Sequence, residues 1–162
     1  MIVVADAGPI HYLVLIEAVD VLHPLYDRVI VPQTVSEELK RERAPEAIRA
    51  WIAHPPEWCQ VQPDAVSDPA LDKIFDRGER AAIAMALSIS ADRLLIDDWE
   101  GRVEATRRHL RATGTLGVLA EAHQRHLIDF ESALSLLSQT SFYLSENLLK
   151  EMRLRLANQS HH

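Results

Sequence analysis

The chain has 162 residues, of which 48% are hydrophobic and 25% are charged, so it fits one globular domain with a sizeable core. No apolar run is long enough to span a membrane and no secretory leader is recognisable, so we expect a cytoplasmic protein without a membrane partner. The net charge of -7 argues against a nucleic-acid partner, unless some of the acids bind a divalent cation that reverses the local field.

Short apolar runs alternate with longer amphipathic stretches along the chain. The apolar runs predict buried strands at residues 2–5, 29–31, 59–62, 93–96 and 112–114. The amphipathic stretches predict helices at residues 9–22, 34–43, 45–53, 67–75, 79–90, 100–110, 116–126, 130–137 and 145–156. Apolar strands separated by helices indicate an α/β fold, with a parallel sheet covered on both faces. We expect a single domain over residues 1–157 and a disordered tail over 158–162 that ends in the remnant of an expression tag.

Acidic residues follow two of the predicted strands. Asp6 comes directly after the first strand, and Asp97 and Asp98 come directly after the strand at 93–96. Ligands of parallel sheets bind beyond the carboxyl ends of the strands, so these acids are candidates for a binding site. Asp6 is equally well explained as a helix N-cap or an Asx-turn. The two adjacent aspartates repel each other, and a cation beside them would remove that cost.

Two further acids lie in the first turns of predicted helices. Thr34 and Glu37 have the spacing of a capping box, which gives Glu37 a local structural role and leaves Glu38 without one. Glu79 follows Gly78, at a position where a carboxylate interacts favourably with the helix dipole. Each acid alone has an ordinary explanation, but several carboxylates in one cleft would raise each other's pKa. Bound Mg²⁺ or Mn²⁺, which prefer oxygen ligands, would remove that cost.

Six segments of the sequence together resemble the PIN domain. They are VVADAGPI at 3–10, VPQTVSEEL at 31–39, DRGERAAIAMAL at 76–87, LLIDDWEGR at 94–102, TGTLGVLAEA at 113–122 and FYLSENLLKEM at 142–152. The sequence is most similar to the compact branch of predicted nucleic-acid-binding proteins related to the VapC toxins. This resemblance covers nearly the whole chain. It implies a three-layer α/β/α sandwich and a ribonuclease that depends on Mg²⁺ or Mn²⁺.

The resemblance also implies the residues of the active site. By motif, Asp6, Glu38 and Glu79 match the first three acids, and Asp98 is the choice for the fourth, with Asp97 as the alternative. The implied metal ligands are Asp6, Glu79, Asp97 and Asp98. The metal would acidify a bound water and neutralise the scissile phosphate, while one carboxylate orients or deprotonates that water.

Basic residues near the acids are the candidate RNA contacts. They are Lys40, Arg41, Arg102, Arg107 and Arg108. Each of them is also explained as part of a solvated helix face. Trp99, beside the two aspartates, is either a packing residue or a residue that stacks on a base. The resemblance further implies a homodimer, and for a toxin of a toxin–antitoxin pair it implies a small antitoxin protein as partner.

Two other kinds of function remain open at this point. The first is a non-catalytic PIN-like module that binds RNA or a protein without cleaving. The second is a phosphatase or a receiver-type phospho-acceptor. Such proteins pair the acid of the first strand with another acid two residues away, whereas Asp6 is followed by Ala7 and Gly8.

Overall fold

Five short strands form an all-parallel sheet in the computed structural model, which describes residues 1–159. They are β1 (Ile2–Ala5), β2 (Arg28–Pro32), β3 (Cys59–Gln62), β4 (Arg93–Leu95) and β5 (Ala112–Thr113). The strand order is β3-β2-β1-β4-β5. The chain therefore moves outward from β1 to β3 and returns to the other side of β1 at β4. The carboxyl ends of β1 and β4 form the switch point, where ligands of such sheets bind.

Nine helices connect or flank the strands within the described residues. They are α1 (Ala7–Leu15), α2 (Leu22–Tyr26), α3 (Gln33–Leu39), α4 (Glu46–Ala53), α5 (Arg77–Ser88), α6 (Trp99–Arg107), α7 (Thr115–Gln124), α8 (Phe130–Leu137) and α9 (Glu146–Gln159). None of them is long and apolar enough to cross a membrane. The strands and most of the helices predicted from the sequence are confirmed, with ends shifted by a few residues.

Alternate residues of the strands face two separate cores. One core contains Val3 and Ala5 and packs against α1, α2, α4, α7 and α8. The other contains Val4 and Ile30 and packs against α5 and α6. Burial on both faces explains why the strands are continuous apolar runs rather than alternating ones. The predicted three-layer α/β/α sandwich with a short parallel sheet is confirmed.

The helix predicted over residues 9–22 is wrong, because the chain turns at Glu17. Helix α1 ends at Leu15, and Glu17 adopts a left-handed conformation with φ of 58°. The Glu17 N–H donates to the carbonyl of Val14, and the Ala18 N–H donates to the carbonyl of Leu13. These two bonds form a Schellman ending, which normally uses glycine at the left-handed position. A glutamate there gives no sequence signal for the stop.

Only one turn forms where the sequence predicts a helix over residues 67–75. A 3₁₀ turn covers Pro69–Leu71, and the side chain of Asp68 caps it by accepting from the Ala70 N–H. Leu71 and Ile74 are buried while the residues around them are exposed. A single turn is enough to bury both of these apolar side chains.

The carboxyl-terminal helix is longer than the sequence indicates. Helix α9 extends through Asn158 and Gln159, and the Gln124 side chain on α7 donates a hydrogen bond to Gln159. The prediction of a disordered tail is therefore wrong for these two residues, because a contact with another helix holds the last turn. The remainder of the predicted tail, residues 160–162, lies outside the described residues.

Candidate metal centre

One large cleft opens beyond the carboxyl ends of β1 and β4, with a volume of about 1330 Å³. The backbone N–H of Asp6 donates to the carbonyl of Leu95 at 2.9 Å, which holds the ends of these two strands together. The acids that line the cleft are Asp6, Glu38, Asp76, Glu79, Asp97, Asp98, Glu121 and Glu151. The structure thus brings the five acids predicted from the sequence to one cleft and adds Asp76, Glu121 and Glu151.

Three of the acids form the tightest group. Asp6, Glu38 and Asp76 each offer a carboxylate oxygen, and these oxygens lie within 4.8 Å of one another. We call these three residues the acidic triad. A Cβ atom at Gly78 would lie 2.5 Å from Oε2 of Glu38, 3.2 Å from Oδ1 of Asp76 and 3.4 Å from Oδ1 of Asp6. The missing side chain of this glycine therefore provides the space in which the triad converges.

Asp76 is the site residue that the sequence analysis misses. It is the N-cap of α5, and its Oδ1 accepts a hydrogen bond from the Glu79 N–H at 2.9 Å. The pair Asp76 and Glu79 has the spacing of a capping box, which marks a helix start and brings two carboxylates to one helix N-terminus. The sequence pattern predicts the start of this helix at residue 79, two residues late, and so does not indicate the cap.

Asp6 is the most deeply buried carboxylate of the triad, and its ionised form is destabilised. It occupies the N-cap position of α1, but among the described residues its carboxylate accepts no capping hydrogen bond. Burial raises the pKa of Asp6 to about 7 against the opposing effect of the Ala7 backbone N–H, and the nearby charges of Asp76 and Glu38 act in the same direction as burial. The capping role considered from the sequence therefore does not account for this residue.

Glu38 and Glu79 are held in a similar environment. Burial, followed by repulsion from Asp76, raises the pKa of Glu38, while the charge of Arg41 partly offsets the effect. Burial raises the pKa of Glu79 to about 8, with further contributions from Asp98 and Asp6. Both glutamates thus lose stabilisation when they ionise without a cation nearby.

The two adjacent aspartates have different local partners. Asp97 accepts hydrogen bonds from the backbone N–H of Thr115 at 2.6 Å and from its hydroxyl at 2.7 Å, which fixes it at the start of α7. Burial is the main reason that the pKa of Asp97 is raised, against these two hydrogen bonds. Oδ2 of Asp98 caps α6 by accepting from the N–H groups of Glu100 and Gly101 at 3.1 and 3.4 Å. Each aspartate therefore has a structural role as well as a place in the cleft.

The predicted capping box of α3 is wrong. The helix begins at Gln33, so Thr34 lies inside its first turn and Pro32 is the N-cap. The N–H of Thr34 donates to Asp64 at 3.0 Å, and its hydroxyl donates to the same carboxylate. Glu37 instead accepts a hydrogen bond from the Gln33 side chain at 3.3 Å. A carboxylate from the loop after β3 has replaced the local partner that the spacing suggests.

The predicted basic residues divide into two groups. Arg102 lines the acid cleft, and the charge of Arg41 acts on Glu38. Arg107 and Arg108 do not line this cleft, because both side chains bond to Glu104, three and four residues earlier on α6. Lys40 is exposed at the end of α3.

Other arginines line the cleft at a greater distance along the chain. Arg111, Arg125 and Arg155 come from the segment before β5, the end of α7 and helix α9. The resemblance of the sequence to known motifs centres on the acids, so it gives no reason to select Arg125 or Arg155. Their convergence depends on the packing of α9 against α7, a contact between distant segments.

The donor set of the triad suits a hard divalent cation. Its three members offer only carboxylate oxygens, which are the ligands that Mg²⁺ and Mn²⁺ prefer. Within residues 1–159, none of the three takes part in an ion pair with a basic side chain. Uncompensated carboxylates that are desolvated together are stabilised by a bound cation. The residues therefore fit a metal ion.

Comparison with protein families agrees with this geometry. A family model described as a PIN domain matches residues 2–159 of the chain. No curated protein gives a significant match. The match covers the parallel sheet and all of the acids of the cleft. The chain therefore belongs to the PIN domain family.

Proposed function

We propose that this protein is a metal-dependent endoribonuclease that hydrolyses phosphodiester bonds of RNA. The observation that carries the proposal is the convergence of Asp6, Glu38 and Asp76 at the switch point of the sheet, with no ion pair to a basic side chain in the described chain. PIN domain proteins are generally metal-dependent nucleases. The choice of RNA over DNA rests on the resemblance to the ribonucleases of this family.

The acidic triad would hold a Mg²⁺ or Mn²⁺ ion. When bound, such an ion supplies a more acidic water and neutralises charge on the scissile phosphate. The backbone hydrogen bond of Asp6 to Leu95 fixes its main chain at the end of the sheet, beside the cleft. Glu79 and Asp98 line the same end of the cleft and are the candidates for orienting the attacking water.

The distribution of charge in the cleft supports an anionic substrate. Six of the acids lie at the ends of β1 and β4 and at the first turns of the helices beside them, whereas Arg102, Arg111, Arg125 and Arg155 line the cleft together with Glu151 and the paired Arg93 and Glu121. Arginines neutralise phosphates and supply most of the affinity for a nucleic acid. The net charge of -7 therefore does not exclude RNA, because a large part of the negative charge of the site would be compensated by metal.

The biological setting follows from the resemblance alone. A role as the toxin of a toxin–antitoxin pair, a small antitoxin partner and a homodimer are proposals on the same footing. A non-catalytic PIN-like module is the alternative, and the experiment below separates it from a nuclease.

Cleavage of a labelled single-stranded RNA with Mn²⁺ and with EDTA tests the proposal. We expect cleavage only with metal, and a loss of at least about a hundredfold in Asp6→Asn, since one electrostatic stabiliser of the transition state is removed. Asp20→Asn changes an exposed acid outside the cleft and should keep full activity. Equal cleavage by the wild type and Asp6→Asn would contradict the proposal.

Calorimetric titration with Mn²⁺ separates binding from catalysis. Metal binding that is lost in Asp6→Asn, in a protein that cleaves no RNA, would favour the non-catalytic module. Absence of metal binding in the wild type would exclude both the metal centre and the mechanism built on it.

A further inference from the structure

Two exposed aromatic residues are adjacent in the chain to acids of the cleft. Phe75 precedes Asp76 and is 94% exposed, and Trp99 follows Asp98 and is 77% exposed. Each ring therefore presents a large apolar surface to water, and covering that surface would be favourable. The other two tryptophans of the chain are half-buried and contact each other, with ring centroids 6.0 Å apart.

Helix caps fix the position of both aromatic residues. Trp99 is the first residue of α6, whose N-cap Asp98 accepts two backbone hydrogen bonds. Phe75 comes just before Asp76, the N-cap of α5. An apolar residue at this position usually packs against the fourth residue of the helix, but that residue here is Arg80. The usual structural role of Phe75 is therefore not fulfilled.

A second, smaller cavity of about 300 Å³ lies along α6. Trp99 lines both this cavity and the acid cleft. Ile74 and Val103 give the smaller cavity an apolar surface, and its charged lining consists of two cations, Lys73 and Arg107, and two carboxylates, Glu100 and Glu104. Both cations pair with Glu104, at 2.9 and 3.2 Å, but their side chains are 50% and 65% exposed. Because their side chains are half-exposed, both cations can contact a phosphate while they remain paired with the buried Glu104.

We propose that Trp99 and Phe75 are stacking platforms for unpaired bases of a single-stranded RNA, and that the smaller cavity lined by Trp99 receives a nucleotide adjacent to the cleavage site. This inference rests on the proposed function in that the ligand is RNA. Aromatic rings bind any base through its π-face, and only unpaired bases offer that face. The platforms adjoin Asp76 and Asp98, so a strand whose phosphate lies at the acids places its neighbouring bases at these rings.

The fluorescence of Trp99 tests stacking without reference to cleavage. The variant Trp51→Phe, Trp58→Phe, Asp6→Asn keeps Trp99 as the only indole and removes the charge that the proposed function makes essential. We expect a single-stranded RNA to quench its emission in a saturable manner. An abasic strand of the same length should bind without quenching, and an RNA duplex should not quench. Binding of single-stranded RNA without quenching, or equal quenching by the abasic strand, would overturn the inference.

A second measurement covers the case in which the fluorescence variant does not fold. The otherwise unchanged chain with Asp6→Asn is irradiated with an oligonucleotide that contains 5-iodouridine, and the crosslinked peptide is identified by mass spectrometry. We expect crosslinks at Trp99 or Phe75. Crosslinks elsewhere only would overturn the inference, as would the finding that these residues contact a protein partner and no RNA.

Kinetics provide the matched comparison in the active enzyme. Trp99→Ala should raise KM by roughly 5- to 100-fold with little change in kcat, because stacking is equally present in the ground and transition states. Trp99→Phe should retain most of the affinity. Leu136→Ala, at an exposed apolar residue on α8, should change neither constant.

The outcomes distinguish this inference from the proposed function. Quenching by single-stranded RNA in a protein without nuclease activity would retain the inference and reject the nuclease. Metal-dependent cleavage that Trp99→Ala leaves unchanged, in a protein whose Trp99 is not quenched, would retain the nuclease and reject the stacking platforms.

Discussion

Two carboxylates of this protein are almost equally buried but have opposite surroundings. Asp6 is 7% exposed and Glu104 is 4% exposed. Glu104 on α6 pairs with Lys73 at 2.9 Å, Arg108 at 2.9 Å and Arg107 at 3.2 Å. Asp6 at the end of β1 has no such partner in the described chain, and its nearest charges are other acids.

The difference separates a structural acid from a functional one. Hydrogen bonds from Lys73 and Arg108 lower the pKa of Glu104, whereas burial raises the pKa of Asp6 to about 7. A buried carboxylate that pairs with cations of the same chain has its charge compensated when the chain folds. A buried carboxylate among other acids is stabilised only by a cation from outside, and shifted groups of this kind cluster at functional sites.

The largest effect is expected at Asp76, where two functions of one carboxylate can be separated. Asp76→Asn keeps an oxygen that can cap α5 but removes the charge, so it should reduce RNA cleavage by at least about a hundredfold and leave the fold intact. Asp129→Asn is the matched control, since Asp129 caps α8 in the same way but does not line the acid cleft. If the two variants cleave RNA equally well, Asp76 is only a helix cap.

At Glu104 we expect the opposite result, which is a loss of stability without a loss of RNA cleavage. Glu104→Gln leaves three cations without their shared carboxylate, so we expect a loss of about 2 kcal/mol in the free energy of unfolding, reduced from the cost of a fully buried pair because Lys73 and Arg107 are half-exposed. Cleavage of RNA should stay close to that of the wild type. Chemical denaturation and the cleavage assay measure the two quantities on the same preparation. A large loss of cleavage in a stable variant would place Glu104 in the functional site and remove the contrast with Asp6.

A gradual effect is expected from pH in the metal-free protein. Asp6 and Glu79 have folded pKa values of about 7 and about 8, above the values of unfolded carboxyl groups. The folded state therefore binds more protons between about pH 4 and pH 8. We expect the free energy of unfolding in EDTA to fall as pH rises through this window, by at most about 1.4 kcal/mol per pH unit for each group.

The same titration with saturating Mn²⁺ is the control for that prediction. The bound ion favours the ionised carboxylates, so the fall with pH should disappear or reverse. A metal-free protein whose stability rises across this window would show that the acids are already compensated within the chain.

The acids at the ends of strands could be predicted from the sequence because the pattern that marks them is local. A run of apolar residues that stops at Asp6, and another that stops before Asp97, give both the strand and the position of its carboxyl end. The strand order decides which ends become neighbours, and it depends on crossovers that no local pattern reveals. The PIN resemblance supplies that arrangement as a whole.

The errors arise where a distant segment replaces a local partner. Asp64 takes the bonds of Thr34 and thereby removes the capping box with Glu37. The turn at Glu17 lacks the glycine that usually marks it. The ion pairs of Arg107 and Arg108 with Glu104 could be predicted in part, since the two arginines lie three and four residues after Glu104 on one helix.

The three members of the acidic triad come from three successive crossover units of the fold. They are separated along the chain by roughly 30 to 40 residues, and each follows a different part of the sheet. A bound ion would therefore act as a reversible cross-link that closes two long loops of the chain. Because the unfolded chain cannot bring these segments together without a large entropy cost, the energy of metal binding becomes energy of folding for the whole carboxyl edge of the sheet. Hydrogen exchange at β1, α3 and the start of α5 should accordingly slow together when metal is added, as the response of one tethered unit rather than of three separate segments.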